Sequence, residues 1–195
     1  MNEPWFYVVW AIGAYLVGSI SVGDVVSRLS GVDIRSAGSG NPGTANVYRQ
    51  VGKKSAAAVF VIDLAKGAAA TVPFYFLDLP VWAPLIGAWA VLAGHFFPLF
   101  WGFKGGTGMM VGVGAAIGFL WLGAVIAVPF GAAYAMHTKD MARAGVAFLL
   151  VTVIAGGISG VLMDQSIFGA VAVVLITLTV GVKSYLQYDH WRQPT

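Results

Sequence analysis

A glycine-rich segment with short polar side chains runs from Gly38 to Asn46, and Arg49 and Lys53 follow it. Glycine permits backbone turns with positive φ and lets successive N–H groups approach an anion. Hydroxyl and amide side chains add short hydrogen-bond donors, and an arginine guanidinium can hold a phosphate with two parallel bonds. This segment therefore predicts a phosphate-binding site. A flexible, solvated loop built from turn residues is the alternative interpretation.

A second segment places a cation beside glycines again. Gly94, His95 and Pro98 precede the run Phe-Lys-Gly-Gly-Thr-Gly, which ends at Gly108. Two such segments on one side of the molecule predict a shared anion site. Two alternatives stay open: His95 could hydrogen-bond within a helix bundle, and Lys104 could extend toward lipid headgroups.

Other kinds of chemistry have no visible motif. The P-loop spacing, the HExxH zinc motif and the GxSxG nucleophile elbow are all absent, and no carboxylate pair flanks the glycine-rich segments. The chain has no cysteine, which excludes disulfides and cysteine-based metal sites. We predict no metal and no cofactor, and a reaction that depends on positioning and charge stabilisation of a reactive, phosphorylated substrate.

The elements that must position these residues are membrane helices. Of the 195 residues, 58% are hydrophobic and 10% are charged, and the mean hydropathy is +0.81. A soluble domain carries about 25% charged residues, so we predict an all-α, polytopic integral membrane protein with one domain, residues 1–195. The net charge of +3 does not indicate nucleic acid as a partner.

Apolar stretches of about 20 residues predict roughly seven spans, some of them broken or re-entrant. The predicted spans are Trp5–Val26, Ser55–Leu77, Val81–Trp101, Met109–Met136 as a short broken helix followed by a second one, Gly145–Met163 and Ile167–Leu186. A five-pass arrangement with the glycine-rich stretches in loops is the alternative. The first span lacks a positive region before it, so we expect an uncleaved helix and not a signal peptide.

The basic residues predict the orientation. With seven passes, every Lys and Arg except Lys66 falls on one side, whereas Glu3, Asp78 and Asp164 fall on the other. The positive-inside rule then places the N-terminus outside, and the C-terminus and both glycine-rich segments in the cytoplasm. Lys66 lies within a span, three residues after Asp63, so a structural ion pair is the favoured role and a contribution to the anion site the alternative.

Several motifs in this order resemble the bacterial acyl-phosphate:glycerol-3-phosphate acyltransferases, the PlsY family. The similarity covers about the first 110 residues and comprises the motifs Tyr15–Ile20, Gly31–Arg35, Gly38–Gly43 with Asn46 and Arg49, Gly52–Lys54, Asp63–Gly67, and Gly94-His95 with Phe103–Gly106. The resemblance implies a seven-helix enzyme of the bacterial inner membrane. Such an enzyme transfers an acyl group from acyl phosphate to glycerol 3-phosphate and forms lysophosphatidic acid for phospholipid synthesis.

The resemblance also implies site residues and partners. It assigns Ser39, Arg49 and Thr107 to catalysis, and Gly38, Gly40, Asn41, Gly43, Asn46, Lys53, His95, Lys104, Gly105 and Gly106 to substrate binding. Expected partners are glycerol 3-phosphate, acyl phosphate, membrane lipids and an enzyme that produces acyl phosphate.

The chain departs from the family pattern in three places. Thr107 stands where the family has lysine, Thr44 and Ala45 stand in swapped order, and the motif His-x-x-Asn-x-x-Arg is missing from residues 180–187. These departures keep a second hypothesis open, a non-catalytic relative that binds phosphate-bearing lipid or partners in phospholipid synthesis. The broken stretch after Met109 suggests a third, a small membrane transporter, although no inverted repeat is visible.

Overall fold

The protein is described by a computed structural model that covers residues 3–77, 79–124, 126–127, 130, 133, 147–148, 150–156, 158 and 167–188. Over these residues the secondary structure is helical, with turns and no strand. The helices are α1 (Pro4–Gly18), α2 (Val22–Leu29), α3 (Thr44–Gln50), α4 (Lys53–Thr71), α5 (Ala83–Phe96), α6 (Met109–Ile117) and α7 (Ile167–Tyr188), with 3-10 turns at Val72–Phe76 and Leu99–Trp101.

Four of the described stretches are long and apolar enough to cross a membrane: Pro4–Leu29, Lys53–Phe74, Ala83–Trp101 and Phe168–Gln187. The prediction of an all-helical membrane protein is therefore confirmed, whereas the count of seven passes stays a prediction. The predicted break after Met109 is present, because α6 ends at Ile117 before Gly118. The sixth predicted span is helical at residues 150–156. Asp78, Pro129, Lys139, Arg143, Asp164 and Arg192 lie outside the described residues.

The first predicted span is not one continuous helix. α1 ends at Gly18, and α2 begins only at Val22. Ser19 Oγ donates to the carbonyl of Tyr15, 2.9 Å away, and Ser21 Oγ donates to the carboxylate of Asp24. Short hydroxyl side chains compete with helical backbone bonding in this way, so the two serines explain a break that apolar composition alone did not reveal.

The side chain of Lys66 fills the polar gap at this break. Its Nζ donates to the freed carbonyl of Ile20 at 2.7 Å and lies 2.7 Å from Asp63 Oδ1. Both Lys66 and Asp63 are about 95% buried. The predicted ion pair between Asp63 and Lys66 is confirmed, and it has a further role that joins α4 to the turn between α1 and α2.

Glycines let α4 and α6 pack with their backbones in contact. A Cβ on Gly67 would collide with the carbonyl of Val111, and a Cβ on Gly114 would collide with the carbonyl of Leu64. Close approach at small residues is typical of helix packing in lipid. Because Thr71 meets Gly118 further along both helices, α4 and α6 run in the same direction.

α1 and α5 form a second glycine-mediated pair. A Cβ on Gly18 would strike the carbonyl of Val91, and one on Gly94 would strike the carbonyl of Tyr15. Tyr7 stacks near Trp82 at the other end of the pair, so α1 and α5 are parallel as well. This arrangement brings the ends of α2 and α5 and the starts of α4 and α6 to one side of the molecule, and both glycine-rich segments lie there.

Candidate active site

The loop of the first segment is closed by Asn46, which lies on α3 and is 3% exposed. Its Oδ1 accepts a hydrogen bond from the backbone N–H of Ser39 at 3.1 Å, and its Nδ2 donates to the carbonyl of Ala37 at 2.9 Å. A single carboxamide thus satisfies a donor and an acceptor of the loop backbone. This contact fixes the loop shape between Ala37 and the start of α3.

Two glycines in this loop have conformations that other residues rarely adopt. Gly38 has φ +57° and Gly40 has φ +69°, both in the left-handed region. A Cβ on Gly38 would also collide with the Oδ1 of Asn46. The predicted role of glycine in this segment is therefore supported by backbone geometry and by close contact.

An ion pair that the sequence analysis missed holds the loop against α2. Arg35 donates from Nε to Asp24 Oδ1 at 2.7 Å and from Nη2 to Asp24 Oδ2 at 2.5 Å. Asp24 is 1% exposed, and Ser21 donates to the same carboxylate. The signal was present in the sequence, since an aspartate inside an apolar stretch requires a partner.

The two glycine-rich segments meet at Gly106. A Cβ built on Gly106 would lie 2.7 Å from His95 Nε2 and 3.1 Å from Asn41 Oδ1. Asn41 belongs to the first segment, and His95 is buried near the end of α5. The prediction that the two segments come together is therefore confirmed for Asn41, His95 and Gly106.

Gly105, next to the point where Asn41, His95 and Gly106 meet, bonds to residues of α5 and α7. Its N–H donates to the carbonyl of Phe96 at 3.1 Å, and its carbonyl accepts a hydrogen bond from Gln187 Nε2 at 3.2 Å. Lys183, one turn before Gln187, places its ammonium 4.8 Å from the ring centroid of Phe97. Gln187 was not predicted as a site residue, although Lys183 and Gln187, four residues apart on a largely apolar helix, were visible in the sequence.

The charged candidates are exposed, in contrast to the buried His95. The side chains of Arg49, Lys53 and Lys104 have no hydrogen bond or ion pair with the described residues. Ser39 is half-buried and holds the loop through its backbone N–H. Thr107 is half-buried as well, and its hydroxyl bonds to no described residue. Their cationic and hydroxyl groups are thus available to a ligand.

The geometry can be compared with known proteins. A sequence model of the family described as glycerol-3-phosphate acyltransferase matches residues 8–191. The chain belongs to the glycerol-3-phosphate acyltransferase family.

Relatives with the same description come from distant bacteria. A glycerol-3-phosphate acyltransferase of Brucella ovis is 42% identical over 132 residues, which cover 65% of this chain and 64% of that protein. One of Aquifex aeolicus is 42% identical over 104 residues, which cover 53% of this chain and 54% of that protein. The chain thus aligns with less than two thirds of the length of these family members.

The fold also matches crystal structures of a family member. Two structures of PlsY, an integral membrane glycerol 3-phosphate acyltransferase, are 25% identical to this chain and cover 94% of it and 90% of their own chain. The glycerol 3-phosphate form superposes with a TM-score of 0.81 and the lysophosphatidic acid form with 0.78. The resemblance to the PlsY family noted in the motifs is therefore confirmed, and the structural similarity covers 94% of this chain.

Proposed function

We propose that this protein transfers an acyl group from acyl phosphate to the 1-hydroxyl of glycerol 3-phosphate. The observation that carries the proposal is the meeting of the two glycine-rich segments at Gly106, where Asn41 and His95 both lie beside this glycine. Family membership supports the acceptor, since one of the similar PlsY structures is a glycerol 3-phosphate form. The products are lysophosphatidic acid and inorganic phosphate.

The reaction balances without a cofactor. The 1-hydroxyl oxygen forms a bond to the acyl carbonyl carbon, the bond from that carbon to the phosphate oxygen breaks, and the hydroxyl proton leaves with the phosphate. Acyl phosphate is already activated, so the protein needs to hold two anions close together and to stabilise the charge that develops on the carbonyl oxygen. Arg49, Lys53 and Lys104 supply the positive charge for the phosphate groups, while Gly105 and Gly106 let the backbone come close.

The proposal includes a place in the cell. We propose that the protein lies in the bacterial inner membrane with the site on the cytoplasmic side. Glycerol 3-phosphate, which is water-soluble, would then reach the site from the cytoplasm. The distribution of basic residues supports this orientation. An acyl chain would remain in the lipid while its phosphate enters the site, and a neighbouring enzyme would supply the acyl phosphate.

Purified protein in detergent or lipid, given acyl phosphate and labelled glycerol 3-phosphate, tests the proposal. We expect labelled lysophosphatidic acid from the wild-type protein and a loss of at least about tenfold in kcat/KM for Arg49→Ala, because a charge-assisted hydrogen bond is removed. Lys54→Ala is the matched control, since it removes an exposed positive charge near the start of α4 that belongs to none of the candidate residues. Absence of product at every acyl chain length would sink the proposal.

A second candidate function rests on the departures from the family pattern. A neutral Thr107 cannot stabilise phosphate charge as an ammonium does, and the loss of one such contact costs about 1.5–3 kcal/mol, or roughly ten- to a hundred-fold in rate. A non-catalytic, lipid-binding relative would show this pattern. Complementation of a strain that lacks its acyl-phosphate acyltransferase, with Thr107→Lys in parallel, separates the two. Growth with the wild-type gene favours the enzyme, and growth only with the variant favours the non-catalytic relative.

A further inference from the structure

The inward face of α7 changes from apolar to polar at its C-terminal end. Val173, Ile176 and Val180 are completely buried, and Val180 packs against Gly112 of α6. Ser184 and Gln187 continue the same face at spacings of four and three residues. The polar end of this face therefore lies beside the second glycine-rich segment, where Gln187 contacts Gly105.

The hydrogen bond to Gly105 determines how the Gln187 carboxamide is oriented. A carbonyl oxygen only accepts hydrogen bonds, so the group that faces Gly105 at 3.2 Å is the nitrogen, Nε2. The other end, Oε1, is buried and accepts no hydrogen bond from any residue that the structure describes. Gln187 thus presents a buried acceptor that has no donor within the described part of the chain.

Other buried polar atoms on α7 and on the first segment also have no partner among the described residues. They are Ser184 Oγ on α7, and Asn41 Oδ1 and Thr44 Oγ1 on the first segment. Asn41 lies against Gly106, the neighbour of Gly105. Because buried polar side-chain atoms are in most cases hydrogen-bonded, the unpaired atoms of Gln187, which contacts Gly105, and of Asn41, which lies beside Gly106, point to a polar ligand at these two glycines.

Because Oε1 of Gln187 is an acceptor, it can bind only a group of the ligand that donates a hydrogen bond. A phosphate dianion offers acceptors alone, whereas a hydroxyl group donates a hydrogen bond. We infer that Gln187 Oε1 accepts a hydrogen bond from the non-reacting 2-hydroxyl of glycerol 3-phosphate, with Ser184 beside it. This inference rests on the proposed function and makes Gln187 a specificity-determining residue for the acceptor. It places an amide on α7 in the stretch where the family's third motif is missing.

Binding of two acceptors tests this role directly. Glycerol 3-phosphate and 3-hydroxypropyl phosphate, which lacks the 2-hydroxyl, are titrated calorimetrically into the detergent-solubilised protein. We expect the wild-type protein to bind glycerol 3-phosphate at least about tenfold more tightly, because the site is built to hydrogen-bond the hydroxyl. Gln187→Met should bring the ratio close to one by weakening glycerol 3-phosphate alone. Tyr185→Phe, at a residue that is 70% exposed on the same helix, should keep the wild-type ratio.

The outcomes separate a specific role from a structural one. Equal weakening of both acceptors by Gln187→Met, or a wild-type protein that does not discriminate between them, overturns the inference. If Gln187→Met does not fold, as judged by thermal unfolding, Ser184→Ala is measured with the same criterion. Product formation is scored separately: a wild-type protein that discriminates but makes no lysophosphatidic acid contradicts acyl transfer and leaves the role of Gln187 standing.

Discussion

Asn46 shows how a single side chain can set the geometry of the candidate site. Its two ends bond to Ser39 and Ala37, so the loop of the first segment has one defined shape before a substrate arrives. Preorganised N–H groups stabilise developing charge without further rearrangement. We therefore expect the loss of Asn46 to lower turnover by more than the free energy of its two hydrogen bonds would explain.

Asn46→Ala tests this expectation. The change leaves the N–H of Ser39 without its acceptor, which costs about 1–3 kcal/mol of stability when the group stays buried. We expect a lower midpoint of thermal unfolding in detergent together with a loss of about tenfold or more in kcat/KM for glycerol 3-phosphate. Tyr48→Phe, at an exposed residue of the same helix, is the control. Unchanged kcat/KM in Asn46→Ala would show that the loop shape does not matter for turnover.

The sequence predicted those candidate residues whose role follows from their residue type. The glycines, the short amides and a histidine next to glycines were visible as a pattern, and Asn41, His95 and Gly106 do meet. The pair formed by Asp24 and Arg35 was not foreseen, because nothing local to the sequence says which of several arginines faces a buried aspartate. Long-range contacts of this kind depend on the helix packing.

At the level of helices, Lys66 and Asp63 connect α4 to the broken first crossing. The pair is buried, and Lys66 also bonds to the carbonyl of Ile20. Removing one member of such a pair leaves an uncompensated charge, and this is more harmful than replacing both. The same principle gives a test with three variants.

Lys66→Met is expected to destabilise the protein by about 3–5 kcal/mol, because Asp63 is left buried without its partner. The double variant Lys66→Met with Asp63→Asn should regain part of this loss, since no buried charge remains. Thermal unfolding in one detergent, with Asp63→Asn as the third member of the cycle, measures the coupling. Strictly additive effects of the two single changes would contradict a direct interaction.

A second prediction at the level of helices concerns the glycine contact between α4 and α6. Gly114→Ala places a Cβ against the carbonyl of Leu64, and overpacking of this kind costs about 1–3 kcal/mol. Gly13→Ala is the matched control, because a Cβ on this helical glycine meets no atom within 4 Å. Thermal unfolding should show a lower midpoint for Gly114→Ala alone, and equal midpoints for both variants would rule out tight packing at this crossing.

The helices illustrate what composition determines and what it does not. Apolar stretches predicted where membrane-crossing segments lie, since the bilayer imposes their length and polarity. The break between α1 and α2 escaped detection because serines also occur inside continuous membrane helices, where their hydroxyls bond back to a carbonyl of the same helix. The contact of Lys66 on α4 with the carbonyl of Ile20 shows how the break is accommodated.

For the whole molecule, the absence of cysteine gives a clean test of orientation. Single cysteines at Glu3 and at Ser30, both exposed, mark the start of α1 and the end of α2. In intact cells a maleimide that cannot cross the membrane should label Glu3→Cys, while Ser30→Cys should react only after the cells are opened. The cysteine-free wild-type protein is the control, and the reverse pattern would contradict a cytoplasmic site.

The contact between Lys66 and Ile20 also constrains the order in which the chain can settle into lipid. Ile20 is synthesised first, and Lys66, whose ammonium bonds to the carbonyl of Ile20, is synthesised 46 residues later. An unpaired carbonyl is costly in hydrocarbon, so the first hydrophobic stretch gains its final form only when the second has been synthesised and has docked beside it. We therefore expect these two stretches to enter the bilayer as a pair and not one after the other.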